Sequence, residues 1–193
     1  MRTWPLSLLL LLCLAGTSAS ARGKSKFDAI DSCLKSGAAW DYRTSVCGPS
    51  DPGPVELIRV YKRNHWMAVY RGGRIVREFF VSLGRGGLGP KRRYGDGRVP
   101  EGVYPITAHN PRSGYHLSLR IGYPTAQQVA AAQEAGSSAG GDIMIHGLPN
   151  GDGWIGSRQM RLDWTEGCIA MTNPEIEWLY RAVADGTPIE IYP

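Results

Sequence analysis

The sequence predicts a mostly β fold with a few helices packed on it, and three observations carry that expectation. Short runs rich in Val, Ile, Tyr and Phe recur from Val55 onward, separated by Gly, Asn and Pro turns. Two later stretches carry helical punctuation, with a proline near the start and a glycine at the end: Pro124 to Gly136 and Pro174 to Gly186. The 193 residues are enough for one domain with a sizeable core, and no internal repeat breaks them up.

The first 21 residues read as a signal peptide. Arg2 gives a positive start, Leu6 to Leu14 an apolar centre, and Ala19-Ser20-Ala21 a small-x-small cleavage site. The apolar run is shorter than the ~20 residues a membrane span needs, so no integral segment is expected after cleavage. Cys13 falls inside this leader. Export places the other three cysteines in an oxidising compartment, where two should pair and one remain. Cys33 and Cys47 are close in sequence and form the natural disulfide, which stabilises by about 3 kcal/mol on the chain-entropy account. Cys168 is left over, and an unpaired thiol in an exported protein points to reactivity.

Residues 22–53 form an N-terminal segment that ends in a Gly-Pro-Ser-Asp-Pro-Gly-Pro break, and 54–193 form the main domain. Val55 to Tyr61, His65 to Arg71 and Arg74 to Ser82 predict an antiparallel meander, turned at Lys62-Arg63-Asn64 and Gly72-Gly73. Gly84 to Pro100 is glycine-rich and basic, which predicts a long surface loop. Gly102 to Ala108 and His116 to Gly122 return to strand, and Pro124 to Ala135 is helical. Asp142 to His146 predicts a short strand with Ile143 and Ile145 on one face and Asp142, Met144 and His146 on the other. Gly167 to Met171 is a further short strand. The last helix is capped by Asn173, starts on Pro174, and repeats Ile176, Leu179, Tyr180 and Val183 on one face. Thr187 to Tyr192 closes the chain as a strand.

The chemistry concentrates in Ile143-Met144-Ile145-His146-Gly147 and Thr165-Glu166-Gly167-Cys168-Ile169-Ala170. A thiol with its ordinary pKa near ~8.5 needs a base to become a nucleophile at neutral pH, and an imidazole supplies one. The same imidazole then protonates the leaving amine. Gly167 lets the backbone approach closely, so an amide at this turn is placed to meet a developing oxyanion.

These two segments together resemble the catalytic motif of the L,D-transpeptidases, an upstream His-Gly followed by Ser/Thr-x-Gly-Cys. The Pro-Glu-Gly-Val-Tyr turn at 100–104 is similar to that family's Pro-x-Gly strand start. The resemblance implies a YkuD-like L,D-transpeptidase catalytic fold. It also implies a thiolate, Cys168, that attacks the L,D amide of a peptidoglycan stem peptide, with His146 as base. An acyl-enzyme follows, resolved by an amine or by water. The family orients its base through a main-chain carbonyl, here expected at Gly147, and Gly167 and Thr165 match the motif's glycine and hydroxyl. Glu166 stands where the family commonly has histidine, and Ala170 where it often has asparagine or arginine. The pattern is most similar to a compact proteobacterial branch in which some members hydrolyse the amide and release wall-linked lipoprotein.

Glu166, Arg158, Arg161 and Trp164 are candidate substrate contacts, the arginines through forked hydrogen bonds to a carboxylate. The stretch Asn150-Gly151-Asp152-Gly153 reads as a loop insertion. No cofactor is expected, because thiolate and imidazole suffice. No metal is expected either, since the candidate ligands His109, His116, His146 and Asp142 lack a His-Glu-x-x-His spacing. Gly84 to Lys91 fails as a phosphate loop because Pro90 separates glycine from lysine. The net charge of +5 suits an acidic polymer, but no nucleic-acid reading motif accompanies it. The rival from another class is a wall-binding module without catalysis, for which Cys168→Ala leaves function intact.

Overall fold

The computed structural model describes residues 25–193 apart from Pro52. The expected signal peptide, residues 1–21, lies outside the described residues.

Ser25 starts the first helix, α1 (Lys26–Lys35), through a capping box with Asp28. The helix is followed by a small hairpin, β1 (Ala39–Asp41) and β2 (Val46–Gly48). Cys33 and Cys47 are joined by a disulfide, with their Cα atoms 5.7 Å apart. Ile30, Leu34, Trp40 and Tyr42 bury a small core of their own around this link.

The main sheet begins with the meander β3 (Leu57–Tyr61), β4 (Trp66–Arg71) and β5 (Arg74–Phe80), antiparallel as expected. Then come β6 (Gly102–Ser113) and β7 (His116–Ile121), helix α2 (Ala126–Glu134), and the short parallel pair β8 (Met144–His146) and β9 (Ile169–Ala170). Helix α3 (Asn173–Ala182) and β10 (Pro188–Tyr192) end the chain. The eight strands lie in the order β5-β4-β3-β10-β6-β7-β8-β9. The last strand therefore sits inside the sheet, parallel to β3 and antiparallel to β6.

Alternation fixes which side chains are buried. Ile58 and Val60 of β3, Met67 and Val69 of β4, Leu119 and Ile121 of β7, and Ile145 of β8 point into one core. Ile176 and Leu179 of α3 close over it, each worth roughly 1.5–3 kcal/mol on burial.

Several elements differ from expectation. Helix α2 starts one residue after its cap Thr125, leaving Pro124 outside, and Thr172 rather than Asn173 caps α3 through a box with Glu175. Threonine wins because its hydroxyl and the Glu175 carboxylate satisfy each other, which frees the Asn173 side chain for another partner. Strand β6 runs five residues beyond Ala108 to Ser113. The supposed loop insertion continues into a 3-10 segment, Gly153–Arg161. Residues 84–100 are not a free surface loop. Lys91 and Val99 are buried, and the start of the stretch is bonded to the turn before β9 by Arg85 N–H to Thr165 O (2.9 Å), next to Thr165 N–H to Leu83 O (3.1 Å) at the preceding residue.

The N-terminal segment docks on both later elements. Asp31 accepts a 2.7 Å bond from Ser157 N–H in the 3-10 segment, and Tyr42 donates a 2.6 Å bond to the buried Glu175 carboxylate of α3.

Candidate active site

Strands β8 and β9 run parallel with Ile145 opposite Ile169 and His146 opposite Ala170. Side chains two apart share a face, so Met144 and His146 open on the side that Cys168 and Ala170 occupy. That face borders a cavity of about 300 Å3 lined by His146, Cys168, Tyr115, Trp164, Asp142 and Met144. The isoleucines between them go to the core, at 0–2 % exposure, and hold the pair in register.

His146 Nδ1 donates a 2.7 Å hydrogen bond to the Gly147 carbonyl. A carbonyl only accepts, so Nδ1 carries the proton and Nε2 presents its lone pair. The ring lies against Tyr115, centroids 4.5 Å apart, and edge-on to Trp164 at 5.6 Å. The turn behind it is pinned from two sides. Gly147 N–H donates to the Tyr115 and Leu117 carbonyls, and Leu148 N–H donates to Asn173 Oδ1 at 2.9 Å. Glycine is needed at 147 because a Cβ there would sit 2.7 Å from that same Oδ1.

The Cys168 sulfur receives the Met144 N–H at 3.4 Å and lies 3.6 Å from the Asp142 carbonyl. Burial pushes its thiol pKa up, the Met144 N–H and the Lys91 charge pull it partly back, and the Asp142 charge adds to the rise. Burial pushes the His146 imidazole down, against the bond to Gly147. Both directions favour a neutral thiol beside a neutral imidazole over a preformed ion pair.

The turn carrying Cys168 is tied by Thr165. Its hydroxyl donates to the Cys168 carbonyl at 2.7 Å and accepts from Gly167 N–H at 3.2 Å. Gly167 has φ +121°, and a Cβ there would meet the Arg98 carbonyl at 2.7 Å.

The sequence profile of the YkuD L,D-transpeptidase catalytic domain matches residues 56–191. The chain belongs to that family. It is 29% identical over 167 residues to YafK of Escherichia coli (strain K12), whose name carries the L,D-transpeptidase assignment provisionally; the match takes in 79% of this chain and 58% of YafK. The chain thus spans about three fifths of the length of that relative. The solved structure of the helical cell shape determining protein Pgp2 (K307A mutant) from Campylobacter jejuni is 27% identical with a TM-score of 0.53, covering 72% of this chain and 47% of Pgp2. An L,D-transpeptidase from Xylanimonas cellulosilytica shares the fold at 15% identity and a TM-score of 0.50, over 88% of this chain and 94% of that one.

Within this L,D-transpeptidase-family domain, not every residue expected at the site lies there. Arg158 is turned away: its guanidinium pairs with Asp28 and Asp31 of α1. Arg161 is exposed and does not line the cavity. Thr165 borders the cavity, but it is buried and its hydroxyl is engaged within the turn. Gly167 fulfils the close approach expected of it, yet its amide is taken by Thr165 rather than free for an oxyanion. Among the described residues, the Cys168 amide makes no such bond. Glu166 is exposed at the cavity mouth and paired with Arg85. Trp164 does wall the cavity, fixed by Nε1 donating to Gln159 Oε1 at 3.1 Å.

Tyr115 is the site residue the sequence reading missed. It sits at the β6–β7 turn, beside the left-handed His116 (φ 67°), and only strand pairing brings it to His146. An aromatic between Gly114 and a histidine was the available signal.

Proposed function

We propose that this chain is an exported, periplasmic enzyme that acts on peptidoglycan stem peptides through a cysteine acyl-enzyme and transfers the acyl group to an amine. The observation that carries this reading is the His146 Nδ1 to Gly147 O bond, which leaves Nε2 basic beside the cavity that holds Cys168. The resemblance of Pgp2, a cell shape determining protein, supports wall remodelling as the outcome.

In the first half-reaction the Cys168 thiol proton passes to His146 Nε2 as sulfur bonds to the amide carbon. The Cys168 N–H is the available donor for the oxyanion, and Met144 N–H offsets charge on sulfur. The C–N bond then breaks, and the imidazolium gives its proton to the leaving amine. In the second half, an acceptor amine attacks the thioester, its proton goes to His146, and the C–S bond breaks with return of the proton to sulfur. The aromatic walls of Tyr115 and Trp164 keep the imidazole in place and limit water around it.

Incubation with purified muropeptides tests the reading. New cross-linked or exchanged peptides, lost in Cys168→Ala and in His146→Ala, are expected. Shortened products without a new linkage would assign the same pair to hydrolysis, with water replacing the amine. Equal behaviour of wild type and Cys168→Ala would remove the thiolate mechanism and leave a binding module.

A further inference from the structure

The segment between β5 and β6 is built around one carboxylate. Asp96 accepts from Lys91 Nζ at 2.8 Å and from the backbone N–H groups of Arg92, Arg93 and Arg98 at 2.8–3.1 Å. Burial pushes the Asp96 carboxyl up, but Lys91 and the three amides outweigh it and hold its pKa at about 2. The buried Lys62 ties the same segment from below, donating to Gly89 O at 2.6 Å and Val99 O at 3.2 Å.

A knot fixed in this way presents its next side chains in a set direction. Arg92 and Arg93 are exposed, and among the described residues neither guanidinium has an ion-pair or hydrogen-bond partner. Both line a cavity of about 550 Å3 against α2, with Lys91, Tyr123, Gln128 and Ser137, and among the described residues no carboxylate lines it. The loop after α2 runs from this cavity to the candidate active site, with Ser137 lining the first and Asp142 the second. Tyr94 N–H bonds the Ser138 carbonyl at 2.7 Å, Gly140 packs on Tyr94 and Lys91, and two residues later the Asp142 carbonyl lies 3.6 Å from the Cys168 sulfur. Five residues of backbone, at most about 18 Å when extended, separate the basic recess from Asp142 at the edge of the Cys168 cavity.

We infer that Arg92 and Arg93 form a carboxylate-binding subsite that takes a free carboxyl group of the peptide substrate. The inference rests on the stem-peptide reading above and specifies which chemical feature of that substrate is recognised. Guanidinium forks fit carboxylates through paired N–H bonds, and such bonds are stronger than those between neutral groups. Because the two side chains are exposed, their contribution is reduced by salt.

The test uses the full mature chain carrying Cys168→Ala, with and without Arg92→Gln/Arg93→Gln. Affinity is measured calorimetrically for a stem peptide with free carboxylates and for the same peptide with its carboxylates amidated. The subsite predicts at least about tenfold weaker binding of the free acid to the glutamine variant, and equal binding of the amidated peptide to both proteins. It also predicts that added salt weakens the parent complex more than the variant complex. Equal affinity of both proteins for the free acid overturns the subsite. If that result accompanies turnover by the wild-type chain, the stem-peptide reading stands and the subsite alone fails. Absence of both binding and turnover defeats the two together. Amidating the donor or the acceptor peptide separately in turnover then identifies which of them supplies the carboxylate.

Discussion

The Asn173 side chain accepts a 2.9 Å hydrogen bond from the backbone N–H of Leu148, which ties the first residue of α3 to the turn behind His146. The helix start and the imidazole are thereby one rigid unit, although 27 residues separate them in the chain. Replacing Asn173 by alanine leaves a part-buried N–H unpaired, at a cost of about 1 kcal/mol. Asn173 acts through Leu148 and Gly147 and is a positioning residue. The expected result is kcat about tenfold lower with KM little changed, and Asn173→Asp, which keeps the acceptor, should recover most of the loss.

Neutral thiol and neutral imidazole set a pH signature. With His146 held below the ordinary histidine value by burial, the acid limb of kcat/KM should fall below pH ~6.5. With the Cys168 thiol pushed up, its thiolate absorbance should develop only on the alkaline side of ordinary cysteine. Stability follows the same histidine. The unfolded chain takes a proton near pH ~6.5 that folded His146 refuses, so folding weakens as pH drops through that value. Urea midpoints for wild type and His146→Gln at about pH 5 and about pH 8 should differ in slope, the variant losing the histidine contribution. The raised Glu175 carboxyl slopes the other way but is common to both proteins.

Thr165 holds the turn that carries the sulfur, through one bond given and one accepted. Thr165→Val keeps the shape and strands both partners. The expected cost is about 2 kcal/mol in a denaturation curve, with a parallel loss of turnover. Thr165→Ser should restore both.

Gly167→Ala addresses the backbone instead. Its φ of +121° and the Arg98 carbonyl 2.7 Å from an added Cβ oppose any side chain. A loss of about 2 kcal/mol or more is expected, and it should be larger than that of Gly37→Ala, where a Cβ meets nothing within 4 Å.

Tyr42 tests the docking of the N-terminal segment. Its hydroxyl donates to Glu175, whose carboxylate also completes the α3 cap. Tyr42→Phe should cost roughly 1.5–3 kcal/mol, read from urea midpoints, because one acceptor site of a buried carboxylate goes unfilled.

Local pattern explains what was legible in the sequence. The parity of Ile143 and Ile145 against Met144 and His146 is a property of any strand, and it put the imidazole on the correct face. The meander was readable from its turns. Distant pairings were not. Nothing near Arg158 announces Asp28 and Asp31, some 130 residues earlier, so a guanidinium with a long-range ion-pair role reads as a substrate contact. The Gly84–Pro100 stretch reads as a surface loop because its order comes from the half-buried Asp96 and from Lys62, which periodicity does not reveal. The placement of β10 between β3 and β6 likewise depends on long-range pairing.

The central claim is that Cys168 becomes acylated with His146 as its base. The most direct measurement is intact mass after brief mixing with stem peptide and acid quench, followed by peptide mapping. A mass increase equal to the acyl donor fragment, mapped to Cys168, absent in Cys168→Ala and strongly reduced in His146→Ala, is the predicted result. Turnover of the peptide with no adduct in wild type, or with activity retained in Cys168→Ala, would contradict the account.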